Sequence, residues 1–299
     1  MILAIDARNR SVSVGFRSGG AWLAKRRFGA SSERSADEYV FLLEAAAAAL
    51  LRSAPSVAAG VAPPGEGAAD RAGASLRAGG LPPIEAAWIS SVAPSLTPRL
   101  AEAVSAAFGV EASVVGPGTR TGLKIRTDQP SEVGSDLVVA AVAARELAGA
   151  PSIVVSFGDA VAVSAVNAAG EFVGAAIAPG LETGAASLHQ AAALIPEVRL
   201  EAPARAIGRN SAESVRAGLV LGYAGLVSRL VALMRAELAA DSPGAPLAAV
   251  IGAGDAIGRG ILATAGIEGP SGAAGKAGFL FEPDLVLEGL AIIAARNRQ

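Results

Sequence analysis

The sequence predicts an α/β protein of two similar, duplicated lobes with a central cleft. Two observations point there. A strand ending in a polar residue, a tight turn and two further strands occur near residue 1 and again near residue 152, and helical periodicity follows each meander. A chain of 299 residues, 52% of them apolar, is also long enough for two cores of ordinary domain size.

Taken in order, residues 1–7 form a short apolar run ending near Asp6, 11–16 alternate apolar and polar residues, and 21–28 follow a Gly19-Gly20 turn. Ser35 or Asp37 is placed to cap a helix over 38–52, where Leu42, Leu43 and Leu50 recur at helical spacing. Residues 55–83 are rich in Gly, Ala and Pro without periodicity and read as a surface insertion or disordered loop. A buried strand at 86–90, a helix opened by Pro94-Ser95-Leu96-Thr97-Pro98 and ending at Phe108, and a strand at 110–115 complete a first lobe over 1–116. The second lobe, 117–299, is expected to hold a helix at 132–148, strands at 152–156, 160–166 and 171–177, helices at 211–238, 255–264 and 284–296, and a strand at 247–251. Turns at strand ends present backbone amides, so two such lobes form a natural cleft for a phosphorylated ligand.

Composition removes several function classes. There is no cysteine and a single histidine, His189, which excludes disulfides, thiolate metal sites and histidine-rich metal clusters. Acids and bases are interleaved at a net charge of -2, so no basic face is available for a phosphate backbone and nucleic acid is not an expected partner. No stretch is apolar over the roughly 18 residues a membrane span needs, and the start lacks a targeting pattern, so a cytoplasmic protein is expected. His189 reads as a hydrogen-bonded structural residue, Trp22 and Trp88 as core, and the helix at 211–238 as a core or dimer helix.

Several runs, in the same order along nearly the whole chain, resemble the type III pantothenate kinases, a branch of the acetate-and-sugar-kinase/actin superfamily with ribonuclease-H-like lobes. They are Asp6-Ala7-Arg8-Asn9-Arg10, Ile89-Ser90-Ser91-Val92-Ala93-Pro94-Ser95-Leu96, Gly116-Pro117-Gly118, Thr121-Gly122-Leu123-Lys124-Ile125, Pro130-Ser131-Glu132-Val133-Gly134-Ser135-Asp136, Ala176-Ile177-Ala178-Pro179-Gly180-Leu181, Ile207-Gly208-Arg209-Asn210-Ser211 and Leu287-Glu288-Gly289-Leu290. The resemblance implies transfer of the ATP γ-phosphoryl group to pantothenate in coenzyme A biosynthesis, with magnesium, a monovalent cation and a dimer whose pantothenate site draws on both protomers. Chemistry of this kind is mostly positioning and charge neutralisation.

The same resemblance assigns roles. Asp6, Asn9 and Gly158 fall in the nucleotide loops, with Asp6 also the candidate for a metal, and Thr121, Gly122 and Gly134 on the pantothenate side. Asp136 matches the proposed general base and also reads as an ordinary acid favoured in a first helical turn. Arg209, Asn210 and Ser211 match the segment serving the neighbouring protomer; they also read as a turn, with Ser211 capping the next helix.

The departures concentrate on the nucleotide. Arg8 and Arg10 replace the family's glycine and threonine in the first turn, Ser156-Phe157-Gly158-Asp159 stands where the family has Asp-Phe-Gly-Thr, and Gly252-Ala253-Gly254-Asp255 adds an acid to a third loop. Leu137 replaces the arginine that would meet the pantothenate carboxylate. The expectation is a subunit that lacks activity alone and completes the site of a motif-intact paralogue, in a heteromer or otherwise as a homodimer. The alternatives are a self-sufficient kinase with rebuilt loops and a regulatory pseudokinase that senses an anion through Arg8 and Arg10.

Overall fold

The computed structural model describes residues 1–53, 82–268 and 278–298; the insertion expected over 55–83 falls outside the described residues as far as 81. The chain divides into two compact units, one of residues 1–121, 134–139 and 286–299, the other of 122–133 and 140–285.

In the first unit, β1 (Ile2–Ala7), β2 (Ser11–Ser18), β3 (Ala21–Gly29), β4 (Ala86–Ser91) and β5 (Ala112–Val114) form one sheet in the order β3-β2-β1-β4-β5. The meander pairs antiparallel, and β1 runs parallel to β4, which places Asp6 beside Ser90 and Ala7 beside Ser91. Every residue of β1 is buried, as a central strand covered on both faces requires. Helices α1 (Ala36–Ser53) and α2 (Thr97–Phe108) supply Tyr39, Leu43, Leu100 and Val104 to a core with Leu3, Ile5, Val14 and Phe16. Ser35, rather than Asp37, caps α1: its hydroxyl accepts from the Glu38 amide at 3.3 Å, and the Glu38 carboxylate accepts from the Ser35 amide at 2.8 Å.

Helix α3 (Ser135–Ala148) starts in the first unit and continues in the second. It begins three residues later than its periodicity suggests, because Pro130–Glu132 closes a separate 3-10 turn ahead of it.

The second unit repeats the first. Its strands β6 (Ser152–Phe157), β7 (Ala160–Val166), β8 (Phe172–Pro179), β9 (Ala249–Ala253) and β10 (Leu280–Phe281) are ordered β8-β7-β6-β9-β10, with the same antiparallel meander and the same two parallel neighbours. This is the duplicated actin-like arrangement. Helices α4 (Leu181–Ala191), α5 (Ser211–Asp241) and α6 (Ala256–Thr264) belong here. By length and composition α5 is apolar enough to cross a membrane, yet Val220, Ala224, Val227, Val231 and Leu238 are buried in this unit's core. His189 on α4 bonds the Ile195 carbonyl through Nδ1 at 2.7 Å, as a structural histidine does.

The C-terminal helix corrects the expected lobe boundary. Helix α7 (Leu285–Arg296) belongs almost entirely with the first unit rather than the second. Glu288 accepts a hydrogen bond from the Trp22 indole and pairs with Lys25 at 3.3 Å and Arg17 at 3.6 Å. Gly289 lies so close to Val139 that an added Cβ would stand 2.1 Å from its carbonyl oxygen. Trp22 is accordingly half-buried against Arg17 and Lys25, while Trp88 is core as expected.

Candidate functional site

In the first unit the carboxyl ends of β1 and β4 and the start of α3 converge. Asp6 is 5% exposed, and its Oδ2 accepts from the Arg8 Nε at 2.9 Å. Its Oδ1 is buried and has no hydrogen-bond partner. Asp6 is on β1 and Arg8 stands just beyond its end, where the chain turns and brings acid and base together. The Arg8 amide donates to the Ser11 carbonyl at 2.8 Å, so the hairpin closes with arginine in place of glycine.

Asp136, at the first turn of α3, shares this pocket with Asp6 and Arg8. Burial pushes its carboxyl above the usual range; the Arg8 charge opposes that and the Asp6 charge adds to it. Gly134 makes room for it, since a Cβ there would stand 2.6 Å from Asp136 Oδ1. Ser135, which sequence reasoning left unassigned, pins the helix to β4. Its Oγ accepts from the Ser91 amide and donates to the Ser91 carbonyl, both at 3.1 Å, and lies 3.1 Å from the fully buried Ser90 hydroxyl. The one available signal was a pair of serines closing an otherwise apolar strand.

Neutralising Asp136 gives a pH-dependent test. A carboxyl raised on folding favours its protonated form, so its contribution to stability is complete below the unfolded value of about 3.9 and is lost as pH rises through the folded value. Asp136→Asn is therefore expected to melt higher than the native chain at pH 7 and to match it near pH 4. Thermal unfolding at both pH values reads this, and a variant less stable at pH 7 would contradict the stated balance of charges.

Of the other first-unit predictions, Asn9 and Arg10 are exposed, and the Thr121 carbonyl accepts from Arg296 Nη1 at 2.6 Å. Gly122, in the second unit, takes a left-handed φ of 69°.

In the second unit, Ser156 and Ala253 pair at the carboxyl ends of the parallel strands β6 and β9, so the two loops that follow lie side by side. The turn at Gly158-Asp159 is closed by hydrogen bonds. Gly158 donates to Ala160 at 3.0 Å, and the Asp159 carbonyl accepts from the Gly180 amide and the Thr183 hydroxyl, both at 2.9 Å. Asp159 Oδ2 is buried without a partner. Asp255 is the N-cap of α6, accepting from the Gly258 amide at 2.9 Å. Gly254, at φ 129°, packs on Phe157.

The segment at 209–211 is also an N-terminus, but Asn210 and not Ser211 is the cap of α5. The Asn210 side chain accepts from the Glu213 amide at 2.9 Å, and the Glu213 carboxylate accepts from Asn210 Nδ2 at 2.9 Å and the Arg209 amide at 3.0 Å. Those bonds, the Arg209 amide first, hold the Glu213 carboxyl below its usual range. Ser211 is exposed at the first helical position.

A divalent cation does not fit the first-unit pocket as it stands. Among the described residues no group of three or more His, Cys, Asp or Glu is arranged to hold a metal, and the Arg8 guanidinium already lies against Asp6.

A family model described as type III pantothenate kinase matches residues 65–233. A type III pantothenate kinase from Moorella thermoacetica is 33% identical, covering 99% of this chain and 100% of that protein. The chain belongs to the type III pantothenate kinase family. Another type III pantothenate kinase, from Geobacter sulfurreducens, is 34% identical with both proteins covered over 100% of their length. The fold is shared with a conserved Baf family protein from Campylobacter jejuni at a TM-score of 0.51 and 10% identity, covering 99% of this chain and 98% of that one. Membership in a family of pantothenate kinases makes this a protein of coenzyme A biosynthesis and of an ATP-using fold.

Proposed function

We propose that this chain is a type III pantothenate kinase subunit that does not phosphorylate pantothenate alone and completes the active site of a motif-intact paralogue in the cytoplasm. The observation that carries the reading is the Arg8–Asp6 ion pair at 2.9 Å, which puts a long cationic side chain in the first turn, where the family's glycine would let phosphate oxygens approach. Asp159 and Asp255 add further departures in the nucleotide loops, and Leu137 adds one on the pantothenate side. The 209–211 segment, which the resemblance assigns to the neighbouring protomer, keeps its polar residues in a closed capping box next to a cavity of about 220 Å³ lined by Glu201, Arg205, Glu213 and Arg216. The departures fall on the chain's own site, its nucleotide loops above all, whereas the 209–211 segment that the resemblance assigns to the neighbour is kept. Pairing of Arg8 with Asp6 weighs against the anion-sensor reading.

The test is ATP-dependent phosphorylation of pantothenate by this chain, by a motif-intact homologue from the same genome, and by their mixture, with magnesium and a monovalent cation supplied. The expected result is background turnover for the chain alone and more in the mixture than with the homologue alone. Turnover by the isolated chain at the homologue's rate overturns the reading.

A further inference from the structure

The first-unit pocket poses a charge problem of its own. Asp6 is buried and Asp136 half-buried, and the Asp6 charge acts on Asp136. Two carboxylates so placed are relieved by a proton or by a cation, and a bound metal ion is one such cation. Here the cation is covalently attached. Arg8 Nε lies 2.9 Å from Asp6 Oδ2, and the Arg8 charge also acts on Asp136. The guanidinium cannot be deprotonated in a protein, so this compensation is permanent. One feature shows the fit is incomplete: Asp6 Oδ1 is buried without any hydrogen-bond donor, although the residue is 5% exposed. An anionic oxygen in that state is what a second cationic ligand would satisfy.

We propose that Arg8 is a tethered cation standing in for a metal ion: it neutralises the Asp6–Asp136 pair from within the chain and closes the pocket to divalent cations, so that removing its side chain opens a cation site the native chain lacks. A guanidinium offers only donors and cannot coordinate a phosphate and a carboxylate around one centre as a metal does. Arg8 thus preserves the fold's charge balance while withholding the metal bridge. The inference concerns the isolated chain without substrate, so it stands or falls independently of the partner reading above.

The experiment is titration of the full-length chain with Mn²⁺, followed by the electron paramagnetic resonance signal of the free ion. The native chain is expected to leave Mn²⁺ free. Arg8→Gly is expected to bind one Mn²⁺ per chain at least about tenfold more tightly, because a fixed positive charge within a few ångströms of the ion is gone. Arg8→Gly with Asp6→Asn should lose that site, which assigns it to the pocket. Arg8→Lys, which keeps a cation, should stay closed. Should the glycine variant misfold by circular dichroism, Arg8→Gln keeps most of the bulk, removes the charge and is expected to bind as the glycine variant does. Equal Mn²⁺ affinity in the native chain and both neutral variants, or a site that survives loss of Asp6, overturns the proposal.

Discussion

Replacing Gly289 by alanine is expected to destabilise the protein by about 3 kcal/mol, toward the upper end of what overpacking costs. The sign is decided by two opposed effects. Alanine is the better helix former by about 1 kcal/mol, so an unobstructed glycine inside α7 would gain from the change. At Gly289 the new Cβ would stand 2.1 Å from the Val139 carbonyl oxygen and 2.7 Å from its Cγ1. The nearer obstacle is backbone, which has no rotamer to give, so α7 must move away from α3 and release the Trp22–Glu288 contact with it. Gly260 in α6 is the control: nothing lies within 4 Å of its added Cβ, and Gly260→Ala should stabilise by up to about 1 kcal/mol. Urea unfolding of both variants checks the pair. A neutral or stabilising Gly289→Ala would mean that the two helices do not meet there.

That contact also shows where sequence reasoning stops. Both β-meanders are legible because their signals are local: short alternating or apolar runs broken by Gly19-Gly20 and by Gly158-Asp159. The membership of α7 is not, since it depends on Gly289 meeting Val139 and Glu288 meeting Trp22 across more than a hundred residues. Strand β10 has two residues, too few for any period. The start of α3 was misplaced because a proline turn carries helical composition up to Gly134. At the site, Asp6 and Asp136 are legible through the family resemblance, whereas the Arg8–Asp6 pair is not, because Arg8 stands just beyond the end of β1, where the alternation of a strand no longer fixes its direction. Asn210 as the cap was open to inspection, because an Asn with Glu three residues on is a capping box. The orphaned oxygens of Asp6 and Asp159 have no sequence signature, since burial of one carboxylate oxygen is set by every element around it.

Asp159→Thr is expected to raise affinity for ATP by up to about a thousandfold while leaving the turn in place. The backbone does not depend on the carboxylate: the Asp159 carbonyl is clasped by Gly180 and Thr183, and Gly180 approaches so closely that its own Cβ would stand 2.1 Å from the Gly158 carbonyl. The side chain is the liability. Its Oδ2 is buried without a hydrogen-bond partner, so one carboxylate oxygen is left unsatisfied. A phosphate oxygen brought to about 4 Å would meet repulsion of roughly 4 kcal/mol at an effective dielectric near 20, which corresponds to three orders of magnitude in binding. Threonine removes the charge and restores the hydroxyl that the family carries at this turn. Calorimetric titration of both chains with ATP and magnesium reads the change, and the melting temperature without ligand should not fall. If affinity is unmoved while the fold is intact, the Asp159 carboxylate does not weaken ATP binding, and the expectation for this turn fails.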